Sequence, residues 1–369
     1  MSERTPAGQG ARHKGAPLVY PLTPPTADGA VVEVAPGVLW ARMPMPMALD
    51  HINVYLLRGE RGWTVVDTGL NAGTTRELWE HIAAKHLDGL PIEALVCTHW
   101  HYDHAGLARW FAERFGVPVY MTLGEYYTMR AYAEPAPDPL PAARQDFYLR
   151  AGLPAEGVQR LFDGMRRDPF MAPAPPSFRR LRDGDELAIG SRRWRVVIGE
   201  GHSPEHACLY DPKAQLLLAG DQLLPRISSN VLVTDIEPEA NPLSLWLDSL
   251  TRLEQLAPNT LILPSHQEVF EGLHLRTREL GEHHHRKLDQ LRDHLHELGR
   301  ATAFEAMQKL FPRRRGAVDD MLALGETMAH LAWLKQVGEV LRTLDADGVH
   351  RFEMVVDGAV RQPAAGNVR

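Results

Sequence analysis

The stretch Cys97-Thr98-His99-Trp100-His101-Tyr102-Asp103-His104-Ala105-Gly106 constrains this chain more than any other. Four metal-capable side chains, His99, His101, Asp103 and His104, fall within six positions. Residues 92–97 before them form an apolar run that reads as a buried strand, and residues 105–114 after them carry apolar residues at helical spacing. The cluster therefore sits where a strand ends and a helix begins. On such a loop His99 and His101 can point the same way, while Asp103 and His104 open the helix and face the same space. That arrangement suits two divalent metals side by side, and imidazole with carboxylate favours zinc, iron or manganese over calcium. A solvated histidine cluster is the bland alternative, and the strand-to-helix context weighs against it.

The 369 residues suit one large domain plus a smaller one. The net charge of −7 argues against a general nucleic-acid binder. The two cysteines, Cys97 and Cys208, lie in apolar runs and read as reduced core residues of an intracellular chain. Residues 1–17 lack the apolar segment of a secretory signal. No apolar run reaches the roughly eighteen residues of a membrane helix, so the expected location is the cytoplasm.

In chain order, residues 1–28 read as a flexible arm rich in Gly, Pro and Thr. A hairpin around Pro36-Gly37, strands over 52–57 and 63–67, a helix over 74–85 and a strand over 117–121 follow. Residues 126–180 form a Pro-rich insertion with helical pieces over 142–151 and 155–165, read as a lid. Strands resume over 186–189, 194–198, 207–210 and 216–219. A helix over 243–256 and a strand over 260–264 complete a catalytic domain spanning 29–272. Residues 273–357 form a helical C-terminal domain, with helices over 276–298, 303–311 and 319–342 and a strand or hairpin over 348–355. Residues 358–369 read as a flexible tail. Within the long helix, His283, His284 and His285 fan over different faces and read as solvated surface. Arg313-Arg314-Arg315 reads as a solvated loop.

Further metal-capable residues recur in order at strand ends. Asp67 follows Val65-Val66, and His202 stands in Gly201-His202-Ser203-Pro204-Glu205-His206. Asp221 follows Leu217-Leu218-Ala219-Gly220, and His266 follows Leu263-Pro264-Ser265. With the His-x-His-x-Asp-His loop, this order resembles the metallo-β-lactamase superfamily across residues 67–266. The resemblance implies a four-layered αββα sandwich. It implies that His99, His101 and His202 bind one metal and that Asp103, His104 and His266 bind a second. Asp221 would bridge them through one carboxylate oxygen. Asp67 would hold the metal loop as a hydrogen-bond acceptor. A metal-bridging hydroxide would attack the substrate, and Asp103 would carry a proton to the leaving group. The expected cofactors are two divalent transition-metal ions, zinc first, with iron or manganese as alternatives. Arg226, Tyr126, Tyr127 and Arg130 are candidate substrate contacts, and His206 a candidate support for its loop.

The details select a branch. Zinc β-lactamases usually carry Cys or Ser where Asp221 stands. The ligand set is that of glyoxalase II, but the Gly-Cys-Gly-Arg segment of those enzymes is replaced here by residues 222–230, which speaks against glutathione recognition. Flavodiiron relatives carry Glu in place of His101. The tail resembles the helical, winged-helix-like tail of some hydrolases in the superfamily. The expected activity is hydrolysis of a small ester, thioester or lactone. The alternatives are a metal-dependent nuclease or phosphodiesterase that docks nucleic acid through the C-terminal domain and, more remotely, an iron-dependent oxygenase. The expected partner is a small-molecule substrate, with no membrane, nucleic acid disfavoured and a homodimer left open.

Overall fold

The computed structural model describes residues 17–133, 141–166, 172–314 and 316–355. Its first half is a sheet of seven strands in sequence order: β1 (Val31–Ala35), β2 (Val38–Pro44), β3 (His51–Arg58), β4 (Trp63–Val66), β5 (Ile92–Val96), β6 (Val119–Met121) and β7 (Arg179–Arg180). The pairs β1 to β4 are antiparallel, and β4 to β7 are parallel. Helix α1 (Gly73–Lys85) connects β4 to β5, and α2 (Tyr102–Ala105) and α3 (Ala108–Phe115) connect β5 to β6. The single helix expected over 105–114 is thus two, the second beginning at Ala108.

Between β6 and β7 lie α4 (Leu123–Tyr132), α5 (Ala142–Arg150) and α6 (Ala155–Arg166). The second sheet runs β13-β12-β11-β10-β9-β8, built from β8 (Glu186–Ile189), β9 (Arg192–Gly199), β10 (His206–Asp211), β11 (Leu216–Gly220), β12 (Leu261–Pro264) and β13 (Phe270–Glu271). Helix α7 (Pro242–Leu253) joins β11 to β12. The C-terminal part holds α8 (Leu273–Leu298), β14 (Arg300–Ala301), α9 (Ala303–Leu310), α10 (Ala317–Gln336), β15 (Val340–Leu344) and β16 (His350–Met354).

Strand β11 shows how the layers arise. All five of its residues are buried. Leu216 and Leu218 join Trp40, Tyr55 and Val66 of the first sheet in a core between the two sheets. Leu217 and Ala219 point the other way, into a core shared with α7, α8 and α10. Alternation with both faces covered produces the unbroken apolar run in the sequence. On the far side of the first sheet, Trp79 of α1 and Phe111 of α3 pack over Val54, Val65 and Leu95. The result is the αββα sandwich, with the ligand loops at one end.

Three further expectations change. Residues 1–16 lie outside the described residues, but the rest of the expected arm is built in: Val19 and Glu271 exchange both backbone hydrogen bonds. The last helix ends at Gln336, not 342. Gly338 takes a left-handed φ of 81°, and the Gly338 and Glu339 amides close back on the Lys335 and Leu334 carbonyls, a Schellman stop. The histidine run is not all surface. His284 is fully buried, on the helical stripe with Leu280, Leu288, Leu291 and Leu295. Its Nδ1 lies 3.3 Å from His330 Nε2. With Glu326 the two histidines form a group that could hold a metal, but Lys287 already places its ammonium 3.8 Å from the Glu326 carboxylate. The expected tail, 358–369, lies outside the described residues.

Candidate metal centre

The loops that follow β4, β5, β9, β11 and β12 meet at one end of the sandwich. There the structure forms two adjacent groups that could each hold a metal ion: His99, His101, His202 and Asp221, then Asp103, His104 and His266. In the first, His99 Nε2 lies 2.8 Å from His101 Nδ1 and 3.3 Å from His202 Nε2. In the second, His266 Nε2 lies 3.3 Å from Asp103 Oδ2.

Asp221 stands between them with a different oxygen toward each. Its Oδ2 is 3.3 Å from His202 Nε2, whereas its Oδ1 is 3.4 Å from His266 Nε2 and 3.6 Å from His104 Nε2. Ser265 Oγ also donates to Oδ1.

Three ring nitrogens turned away from the centre are bonded, which orients their rings. His202 Nδ1 donates to the Asn230 carbonyl at 2.7 Å and His266 Nδ1 to the His51 carbonyl at 2.9 Å. His104 Nδ1 donates to Asp67 Oδ2 at 2.8 Å. Asp67 also accepts from the Thr98 amide at 2.7 Å and the Thr98 hydroxyl at 2.8 Å, so one buried carboxylate ties down the metal loop. Asp67 itself takes a φ of 62° to reach that loop.

This polar pocket suits a cation. His104 Nε2 is buried without a hydrogen-bond partner, facing the carboxylates of Asp103 and Asp221. Burial works against charge on His104, yet Asp103, Asp221 and Asp67 hold its pKa well above the usual imidazole value. Burial likewise opposes charge on Asp221, but His266 and His104 keep its carboxyl well below the usual range. Burial pushes His101 down to about 3, leaving its imidazole neutral at physiological pH. An orphaned nitrogen, clustered imidazoles with His99 and His101 held neutral by burial, and convergent carboxylates suit a divalent transition-metal ion.

Tyr126 is buried, stacked on Phe178 with ring centroids 4.0 Å apart, and its hydroxyl donates to the Pro175 carbonyl. Tyr127 is 59% exposed, and Arg130 lies over the Tyr126 ring. The Arg226 side chain pairs with Glu268 at 3.1 Å, and its amide bonds Gln267, the neighbour of His266. Tyr132, at the end of α4, stacks on Trp100 of the metal loop at 4.6 Å.

Two residues support the groups from behind, His206, a candidate support from the sequence, and Glu125, which the sequence did not mark. His206 Nε2 accepts from the Asp221 amide at 3.1 Å. Gly220 permits this: a Cβ there would stand 2.4 Å from that nitrogen. Glu125, fully buried on α4, accepts from the loops on both sides of the first group. An acid at a helix position facing the core was its only hint.

Comparison with known proteins agrees with this geometry. Residues 47–266 match a family model described as the metallo-beta-lactamase superfamily. Residues 288–355, where a winged-helix-like tail was expected, match a model described as a metallo-beta-lactamase-like C-terminal domain. The chain is 30% identical over 309 residues to the probable metallo-hydrolase YqjP of Bacillus subtilis, covering 80% of this chain and 91% of that one. It is 28% identical over 252 residues to the acyl-coenzyme A thioesterase MBLAC2 of Gallus gallus, covering 63% and 79%. A crystal structure of a beta-lactamase domain protein from Burkholderia ambifaria superposes with a TM-score of 0.84 at 43% identity, over 92% of this chain and 98% of that one. Fold, donor set and matches together place the chain in the metallo-β-lactamase superfamily, as a metallo-hydrolase with the C-terminal domain that family model describes.

Proposed function

We propose that the chain hydrolyses a small thioester, using two metal ions held by the two ligand groups. The observation that carries this reading is Asp221, whose two oxygens face one group each. Zinc suits the imidazole-rich set, with iron or manganese as alternatives. Bound there, such ions lower the pKa of water to near neutrality and polarise a carbonyl oxygen.

The residues of the chain do the rest. Asp67 and the carbonyls of Asn230 and His51 take the outward ring protons of His104, His202 and His266, which aims each Nε2 inward. Asp103, in the second group with its side chain 12% exposed, is assigned the proton released from the attacking water. A thiol leaving group has an ordinary pKa of about 8.5 and departs as thiolate with little help, whereas an amine needs a positioned acid. A thioester therefore asks least of Asp103 as a proton carrier. The thioesterase named among the relatives supports this substrate class. The net charge of −7 opposes long polyanions.

The test is thiol release by the zinc-loaded chain from acyl-coenzyme A and acyl-N-acetylcysteamine thioesters, beside lactones and phosphodiesters. Turnover of thioesters, lost on chelation and restored by zinc, is expected. Preferential cleavage of RNA or another phosphodiester would overturn the reading.

A further inference from the structure

Glu125 has no place in the ligand set, yet its side chain is fully buried. It is the third residue of α4, where an acid would ordinarily bond back to its own helix start. Instead its carboxylate crosses to two other segments. Oε2 accepts from the Trp100 amide at 3.0 Å, between His99 and His101. Oε1 accepts from the Ser203 hydroxyl at 2.6 Å and from the Glu205 amide at 2.7 Å, just after His202. The helix start is served by Glu205, whose carboxylate accepts from the Gly124 amide at 2.8 Å and whose carbonyl accepts from the Thr122 hydroxyl at 2.9 Å. Two glutamates have exchanged roles across 80 positions of chain. Glu205 alone accounts for the helix cap, so Glu125 is left for the loops.

We infer that Glu125 is a positioning residue for the first metal site: it sets the distance between the His99–His101 loop and the His202 loop. This rests on the metal assignment above. Each loop alone would supply its ligands at a variable separation. The carboxylate fixes one loop per oxygen and spans the gap. The second group has its own anchors, Asp67 and the His51 carbonyl, and contacts Glu125 through none of these bonds. A Gln at position 125 can satisfy one side only. With its oxygen toward Ser203 and Glu205, its NH2 faces the Trp100 amide, donor against donor. Ground lost there is lost between His99 and His202.

The experiment measures zinc binding by competition with a chromophoric chelator, in the full chain and in two single-site backgrounds. His266→Ala leaves the first group intact, and His202→Ala leaves the second. The wild-type chain should hold two ions. E125Q should weaken the ion remaining in the His266→Ala background by roughly 10–100-fold, the usual cost of losing an outer partner. It should leave the ion in the His202→Ala background unchanged. Ser203→Ala, which removes one bond and no charge, should act in the same direction by a smaller factor and serves if E125Q folds poorly. Equal weakening in both backgrounds, or in neither, overturns the positioning role. A wild-type chain that binds fewer than two ions overturns the metal assignment instead.

Discussion

His206 Nε2 accepts a hydrogen bond from the backbone amide of Asp221 at 3.1 Å, so the residue that stands between the two metal groups is oriented from behind by a histidine that joins neither. The His206 ring also lies against the His99 ring, with centroids 4.8 Å apart. Burial pushes its pKa well below the usual value, so it stays neutral and keeps a lone pair for that amide.

His206→Ala removes the acceptor and leaves the Asp221 amide buried and unpaired, at a cost of about 1–3 kcal/mol. It also opens space behind His99. The expected result is a lower unfolding midpoint together with a roughly 10–100-fold loss in metal affinity. Denaturant titration of the metal-free chain, set beside zinc competition, checks it. Wild-type affinity in the variant would show that Asp221 keeps its pose without the histidine.

Asp221→Ala deletes the carboxylate that faces both groups. About two transition-metal ions per chain are expected in the wild type and at least one fewer in the variant. Elemental analysis after dialysis against metal-free buffer decides between them. Full occupancy in the variant would exclude a shared ligand.

Asp67→Asn tests the tautomer argument. The carboxylate takes the Nδ1 proton of His104 and two donors from Thr98. An amide cannot accept from all three. If its NH2 faces His104, that ring flips its proton to Nε2 and loses the lone pair aimed at the second group. A roughly 10–100-fold loss in affinity or activity is expected, falling on the second ion more than the first. Unaltered binding of both ions would reduce Asp67 to a turn residue.

Much of this was legible because each converging side chain follows a strand that its apolar run announces. Leu217-Leu218-Ala219 predicts a strand covered on both faces, and Asp221 comes directly after it. What was not legible depends on segments distant in sequence. Glu125 and Ser203 are 78 positions apart, and His284 and His330 are 46 apart, so no local pattern tells a buried acid or imidazole from a solvated one. The early stop of α10 was a missed local signal, since Gly338 stands where a Schellman motif wants it. The orientation of Asp221 belongs to a third class: no sequence pattern says which of its oxygens faces which histidine.

The insertion between β6 and β7 provides the last prediction. Phe147, Tyr148 and Phe162 pack into the core shared with α7 to α10, so most of its aromatic surface serves stability. Tyr132 is different: it stacks on Trp100, whose backbone lies between His99 and His101, with the ring planes 10° apart. Such a pair contributes about 0.5–1.5 kcal/mol beyond its buried area. The His101 ring stands edge-on to Trp100 at 4.7 Å, so this stack forms a wall beside the first group. If the insertion covers the substrate, it does so from here. Tyr132→Ala should alter the ranking of thioesters by acyl size, mainly through KM, while zinc binding stays near wild type. Tyr132→Phe keeps the stack and should behave as wild type. A variant that loses metal with no change in ranking would make the stack a brace for the loop and remove the insertion from substrate selection.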